Sequence, residues 1–225
     1  LTLSAIHYNP FRPIVFTQRP VRMQLYPRQA DGTAEVRISG YTQQSDISSL
    51  TFSMSRNHQL QEQRPVTVTK GEPFSVSFSI VAQPAEYSFE YAIGSGANQL
   101  LADSVVAGDV YLIAGQSNGA ASGSGNPNVT NEYWRNFGCV QKTVAYNPAD
   151  TTWGMSNSAG WGYGRMYYNG WSGYIMQRNL LQEQNMPTAI LNIAIGGSSL
   201  NQNMPNEQNH EDLATFYGEG LYRLR

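Results

Sequence analysis

The chain is poor in cysteine, histidine and charge: one Cys, three His and 13 % charged residues among 225. Each scarcity removes a class of protein. A single cysteine, Cys139, excludes an internal disulfide and a thiolate metal cluster, and reads as a small apolar core residue. His7, His58 and His210 are dispersed, without the paired spacing of a zinc site. Lys and Arg total 14 against 16 Asp and Glu, a formal net charge of −2. With no basic run to displace counterions from phosphates, no nucleic-acid partner is expected, nor attachment to anionic lipid. No apolar run approaches the ~20 residues of a membrane span, so no membrane partner is expected either. The first residues, Leu1-Thr2-Leu3-Ser4, show neither an initiator Met nor a signal-peptide pattern, which reads as a processed or trimmed end. Ser, Thr, Asn, Gln, Gly and Tyr take the place of charge. Such a neutral polar surface is common in secreted β-rich proteins and in proteins that handle sugars, so a secreted or periplasmic location is the expectation. Asn128-Val129-Thr130 fits a glycosylation sequon, a triplet too short to carry weight.

The first hundred residues read as β-structure. In Phe74-Ser75-Val76-Ser77-Phe78-Ser79-Ile80, apolar and hydroxyl residues alternate strictly, which buries one face of a strand and wets the other. The alternation recurs at Val36/Ile38, Leu50/Phe52/Met54, Val66/Val68 and Tyr87/Phe89/Tyr91/Ile93, with turn residues between, as at Asp31-Gly32 and Lys70-Gly71. Short alternating strands with regular turns predict an antiparallel β-sandwich of immunoglobulin-like size. The pattern changes near Gly108. Val110-Tyr111-Leu112-Ile113-Ala114 is a continuous apolar run, the mark of a parallel strand covered on both faces. A stretch rich in Gly, Asn and aromatics, from about Gly119 to Gly170, predicts a long loop without regular elements. Helical spacing returns at Trp171–Leu181, with Trp171, Tyr174, Ile175, Arg178 and Leu181 on the expected buried face. Pro187 ends that helix, and Thr188–Ala194 reads as a second buried strand. Strand, helix and strand form a βαβ unit, so an α/β domain is expected over 108–225, after a β-sandwich domain with a leading arm over 1–107. Two parallel strands do not close a stable sheet, so the α/β domain is expected to be incomplete, with the polypeptide continuing beyond Arg225.

Ser117 follows the first parallel strand directly, in Ala114-Gly115-Gln116-Ser117-Asn118-Gly119. Ligands of open parallel sheets bind at the carboxyl ends of the strands, and glycines there allow a tight turn and close approach. Taken alone, Gly-x-Ser is more often a polar surface loop than a nucleophile. The second strand leads into Ala194-Ile195-Gly196-Gly197-Ser198-Ser199, which alone is more often a plain strand end. The pairing of the two loops, in order, at neighbouring strand ends changes that balance.

Gly108-Asp109-Val110-Tyr111-Leu112-Ile113-Ala114-Gly115-Gln116-Ser117-Asn118 resembles the first signature block of sialate O-acetylesterases and related carbohydrate acetylesterases of the SGNH hydrolase superfamily, and Gly196-Gly197-Ser198 is similar to their Gly-Gly-Thr/Ser block. The resemblance implies a three-layer α/β hydrolase domain behind a β-sandwich and a serine-dependent carbohydrate O-acetylesterase without metal or organic cofactor, whose partner is an acetylated carbohydrate. It implies Ser117 as nucleophile and the backbone N–H groups of Ser117 and Gly196 as the oxyanion hole. Gln116, Asn118, Gly197 and Ser198 would be substrate-binding. Gly119 departs from the usual Met and is expected to alter the pocket wall. The Asp-x-x-His pair that would activate the serine has no counterpart up to Arg225. It is expected farther along the polypeptide, leaving residues 1–225 inactive alone. His210 reads as a solvated loop histidine. The cluster Trp153, Trp161, Tyr163, Tyr167, Tyr168 and Trp171 reads chiefly as packing, with Trp153 and Trp161 as candidates to stack on sugar. The competing reading is a carbohydrate-binding or adhesion module on an SGNH-like scaffold with no complete triad.

Overall fold

The computed structural model describes residues 13–120, 129–138, 149–157 and 169–224. His7, Cys139, Asn128 of the sequon, Trp161, Tyr163, Tyr167 and Tyr168 lie outside the described residues. The described chain is mostly β-sheet with few helices. Strands β1 (Ile14–Gln18), β3 (Thr33–Thr42) and β6 (Pro73–Val81) form one sheet, in the order β1-β3-β6. Facing it are β5 (Gln59–Thr67), β4 (Ser49–Arg56), β7 (Tyr87–Ile93) and β8 (Gln99–Ile113), adjacent in that order.

The strict alternation in β6 places Phe74, Val76, Phe78 and Ile80 in the core and the serines toward solvent. Rings from the two sheets meet across the gap, Phe78 on Phe89 at 5.7 Å and Phe52 on Phe74 at 5.6 Å. A fully buried ring of this kind contributes roughly 1.5–3 kcal/mol. Tyr87, at the start of β7, accepts from the Val81 N–H at 3.1 Å and donates to the Val81 carbonyl at 3.2 Å, fastening the β6–β7 corner.

Strand β8 runs straight through Ala107, the expected junction. Its first part pairs antiparallel with β7, and its last five residues pair parallel with β11 (Thr188–Asn192), from Asp109↔Thr188 to Ile113↔Asn192. The short strand β2 (Leu25–Pro27) lies parallel to it at Val106–Gly108. One sheet therefore continues across the expected boundary, and what changes there is the partner of the strand. A bulge eases the change: Val105 pairs with Tyr87 and Ala102 with Phe89, leaving one extra residue in β8, and Ser104 has φ of 53°. Arg28 locks the crossing point, its guanidinium bidentate on Asp109 at 2.7 and 3.1 Å.

The stretch expected to lack regular elements contains two strands, β9 (Thr130–Phe137) and β10 (Trp153–Asn157), paired antiparallel. Strand β9 also pairs parallel with β11, so among the described residues the sheet runs β10-β9-β11-β8 and holds a parallel strand beyond the two expected. An apolar pattern could not reveal β9, because Arg135 and Asn136 are buried in it. Arg135 is fully buried. Its guanidinium donates to the carbonyls of Glu132 and, at 2.8 Å, Ser104, and it faces the Glu86 carboxylate at 3.5 Å. Burial pushes its pKa down to about 10, still charged at neutral pH. It ties the β8 bulge to β9, joining the sandwich to the parallel sheet.

Helix α2 (Gly170–Gln184) covers the sheet face of Ile113 and Ile190, and α4 (Phe216–Leu224) covers the opposite face, against Leu112 and Ile193. The buried stripe of α2 is Gly170, Gly173, Tyr174 and Gln177, while Trp171 is exposed, which corrects the apolar face expected from spacing. Gly173 explains the difference. A Cβ there would sit 2.9 Å from Ile190 Cδ1 and 3.1 Å from Ile113 Cδ1, so the helix lies close against the sheet and a side chain at 173 would have to displace those two isoleucine tips. Gln177 then reaches the sheet and donates to the carbonyls of Arg135 (3.1 Å) and Thr188 (3.0 Å).

The entry of β11 beside β8 depends on Gly108. The Pro187 carbonyl accepts from the Asp109 N–H at 3.1 Å, and a Cβ at position 108 would lie 1.9 Å from that oxygen. Gly108→Ala is expected to destabilise the fold by ~1–3 kcal/mol or more through forced separation of β8 and β11, read as a lower denaturation midpoint. An unchanged midpoint would show that the strands part without cost.

Candidate active site

Two turns leave the carboxyl ends of β8 and β11 side by side. After Ile113 the first passes through Gly115, whose φ of +131° is reached comfortably only by glycine, into the single-turn helix α1 (Ser117–Ala120). After Asn192 the second closes at Ile195–Ser198, where the Ser198 N–H donates to the Ile195 carbonyl at 3.2 Å and Gly197 takes φ of +78°. A positive φ at the third position of such a turn selects glycine. The parallel ladder extends past the strands and fastens one turn to the other: Ile193 N–H donates to the Ile113 carbonyl at 2.9 Å, and Ile195 N–H to the Gly115 carbonyl at 3.1 Å.

This zip brings together the residues named from the sequence. Gln116, Ser117, Asn118, Gly196 and Gly197 are all exposed at the same end of the sheet, and Ser198 is half-buried. The Ser117 hydroxyl donates to Gln116 Oε1 at 3.3 Å. The backbone N–H groups of Ser117 and Gly196 have no partner among the described residues. Ser198 Oγ accepts from Asn203 Nδ2 at 2.9 Å, and the same amide group donates to the Ser199 carbonyl at 2.8 Å. Asn203 closes α3 (Leu200–Asn203), whose start is secured by a capping box between Ser199 and Gln202. The second turn is thus held from both ends.

Among the described residues no histidine or carboxylate bonds Ser117. His210 is exposed in the loop between α3 and α4, and His58 in the β4–β5 turn. Asp212 is committed elsewhere. Its carboxylate accepts from Asn206 Nδ2 at 2.8 Å and from the Ala214 N–H at 3.0 Å, which holds its pKa below the usual range. Trp153 is half-buried, packed on Phe137 at 4.5 Å and against the Leu25–Val106–Ala189 cluster, and so serves as packing. A cleft of ≈ 570 Å³ opens on the α4 side, lined largely by apolar residues including Leu112, Ile193, Tyr217 and Leu221. It touches the site through Gly115 and Asn203 alone, and the Ser117 hydroxyl is not part of its wall.

Two contributions escaped the sequence reading. Asn192, the last residue of β11, accepts from the Ala194 N–H at 2.9 Å and donates to the Gly119 carbonyl at 3.3 Å. A polar residue ending an otherwise apolar strand was the available signal. Gly119 is not a pocket-wall residue. A Cβ there would meet Ala194 Cβ at 2.9 Å and the Ala114 carbonyl at 3.2 Å, so α1 rests on the base of the second turn with no room for a side chain.

No family model and no curated protein matches the chain. Among solved structures, a carbohydrate acetylesterase from Xanthomonas citri aligns over 94% of this chain and 48% of its own at 16% identity and a TM-score of 0.48. The chain spans about half the length of that protein. A GH3 β-glucosidase from Bifidobacterium adolescentis aligns over 39% of this chain and 17% of its own at 16% identity and a TM-score of 0.27. A β-glucosidase from Listeria innocua aligns over 42% and 16% at 9% identity and a TM-score of 0.28.

The seating of α1 yields a direct test. Gly119→Ala should cost about 1–3 kcal/mol by overpacking against Ala194 and should shift the amide resonances of residues 117–120 and 194–196 together. A shift confined to position 119 would show that the two turns are not in contact.

Proposed function

We propose that this chain carries the nucleophile and the oxyanion side of a serine carboxylic-ester hydrolase that removes acetyl groups from carbohydrate. The observation that carries the reading is the bond from Ile195 N–H to the Gly115 carbonyl, which fixes the Ser117 turn beside the Gly196–Gly197 turn at the mouth of a parallel sheet. In the proposed reaction Ser117 Oγ attacks the acetyl carbonyl carbon while a base takes its proton. The carbonyl oxygen, now negative, accepts from the backbone N–H groups of Ser117 and Gly196. Collapse of the tetrahedral intermediate breaks the ester C–O bond, and the departing sugar oxygen takes up the proton. Water then attacks the acyl-serine and releases acetate, restoring the hydroxyl. The general base and its orienting carboxylate come from outside the described residues.

The finer assignment, to the sialate O-acetylesterase-like group of SGNH hydrolases, is supported by the Gly-Gln-Ser-Asn and Gly-Gly-Ser turns and by helices on both faces of the parallel strands. An immunoglobulin-like front domain is supported by the facing sheets β1-β3-β6 and β5-β4-β7-β8 and by the Tyr87 hydroxyl tied back to Val81. Gln116, Asn118, Gly197 and Ser198 border the substrate in this reading.

One observation favours a binding module instead: the Ser117 hydroxyl bonds only the neighbouring Gln116 side chain among the described residues. The full-length protein separates the two readings. With an acetylated sugar, Ser117→Ala should lower kcat/KM at least ~10³-fold while the melting temperature is unchanged. Acetate release at the parent rate by Ser117→Ala, or sugar binding without turnover by the parent, would overturn the hydrolase.

A further inference from the structure

We infer that Asn192 is a positioning residue for ester hydrolysis, fixing the separation between the Ser117 turn and the Gly196–Gly197 turn; this rests on the reading of Ser117 as nucleophile. Asn192 is buried, with 8% of its surface exposed, at the end of β11. Its two amide atoms serve two different segments. Oδ1 accepts from the Ala194 N–H at 2.9 Å, at the base of the second turn, and Nδ2 donates to the Gly119 carbonyl at 3.3 Å, inside α1. The Ala194 N–H can only donate, so the orientation of the amide is settled by its partners.

The plate is held from a third side. Gly170, at the start of α2, lies so near that a Cβ there would be 3.2 Å from Asn192 Nδ2 and 3.2 Å from the Gly119 carbonyl. The amide therefore sits buried between α1, α2 and the strand end, with one fixed donor–acceptor spacing. Nucleophile and oxyanion donors come from the two segments it joins. An error in their separation penalises the transition state, where the serine oxygen and the oxyanion donors act on one carbonyl group, more than it penalises ground-state binding.

No residue of this size replaces it at every pH. Leucine has neither polar atom. An ionised aspartate keeps the acceptor for Ala194 N–H but sets a negative oxygen against the Gly119 carbonyl. A protonated aspartate can again both accept and donate. This gives a pH signature that a purely packing role lacks.

The test uses the full-length protein and a soluble acetyl ester, with every variant assayed well below its melting temperature. Asn192→Leu should lower kcat roughly 10²-fold with KM changed less than about twofold. Asn192→Asp should be comparably impaired at about pH 8 but should recover, relative to the parent at the same pH, as pH falls toward about 5, because burial raises the carboxyl pKa toward that range. Parent-like kcat in folded Asn192→Leu, a loss confined to KM, or a pH-independent ratio for Asn192→Asp would overturn the inference. If Asn192→Leu does not fold, the Asn192→Asp ratio decides. Ser117→Ala run alongside separates the two levels. If it is inactive while the Asn192 variants keep kcat, positioning fails alone. If it stays active, the nucleophile reading itself fails.

Discussion

The structure depends on one strand doing two jobs. Strand β8 closes the antiparallel β5-β4-β7 set through β7 and opens the parallel pairing through β11, with a bulge at Ser104 between the roles. A strand is straight and hydrogen-bonded along its length, so the two halves cannot swing about it as they could about a linker. Arg28 on Asp109 and Arg135 on the Ser104 carbonyl brace that passage from two sides. The Arg135 bond matters because a buried guanidinium is tolerated only when its partners are in place, and two of them, the Ser104 carbonyl and the Glu86 carboxylate, lie outside β9 in the preceding sheets. The charge that could destabilise the interior thus specifies how the halves meet.

From that frame the site follows by extension of the ladder. β8 and β11 end together, and the bonds at Ile113–Ile193 and Gly115–Ile195 carry their register beyond the strands into the turns. Ser117 and Gly196 are therefore placed by main-chain geometry, and the exposed side chains around them are free to meet a ligand. Two amides, the buried Asn192 between the turns and the half-buried Asn203 beside Ser198, do the fixing. A neutral amide suits this task because it offers a donor and an acceptor without the desolvation cost of an ion.

The β-rich front of the chain was legible because its strands obey a period of two, with apolar residues such as Val76, Phe78 and Ile80 buried and serines turned toward solvent. Strand β11 was legible for the opposite reason, as a continuous apolar run buried on both faces, and β8 from a similar run, although its Leu112 is exposed on the cleft side. Strand β9 was hidden because Arg135 and Asn136 occupy buried positions that hydrophobic counting assigns to the surface. The face of α2 was misjudged for a related reason. Its contact with the sheet is made by Gly173 and Gln177, one too small and one too polar to score as core. The continuity of β8 was illegible because the change from alternating to continuous burial marks a change of neighbours, and neighbours can change along an unbroken strand. The placement of Ser117 and of the Gly196–Gly197 pair at neighbouring strand ends was readable from the sequence. The roles of Asn192 and Gly119 are matters of three-dimensional contact.

Close approach recurs wherever the parallel sheet meets its surroundings. A Cβ would collide at Gly108 with Pro187, at Gly119 with Ala194, at Gly173 with Ile190, and at Gly220 with Ile193. These four contacts surround β8 and β11 at both ends and on both faces. Where backbone replaces side chain at a contact, few rotamers remain to absorb displacement, and movement of α1, α2 or α4 passes directly to the strand ends. For the proposed site, with its main-chain N–H donors, this has a physical advantage. Such donors stabilise a developing oxyanion without reorganisation only if the backbone that bears them is already in place. At Gly108 and Gly119 the obstacle is backbone or a Cβ, so an added methyl there must move a strand or a turn, whereas at Gly173 and Gly220 it first displaces the Cδ1 tips of Ile190 and Ile193.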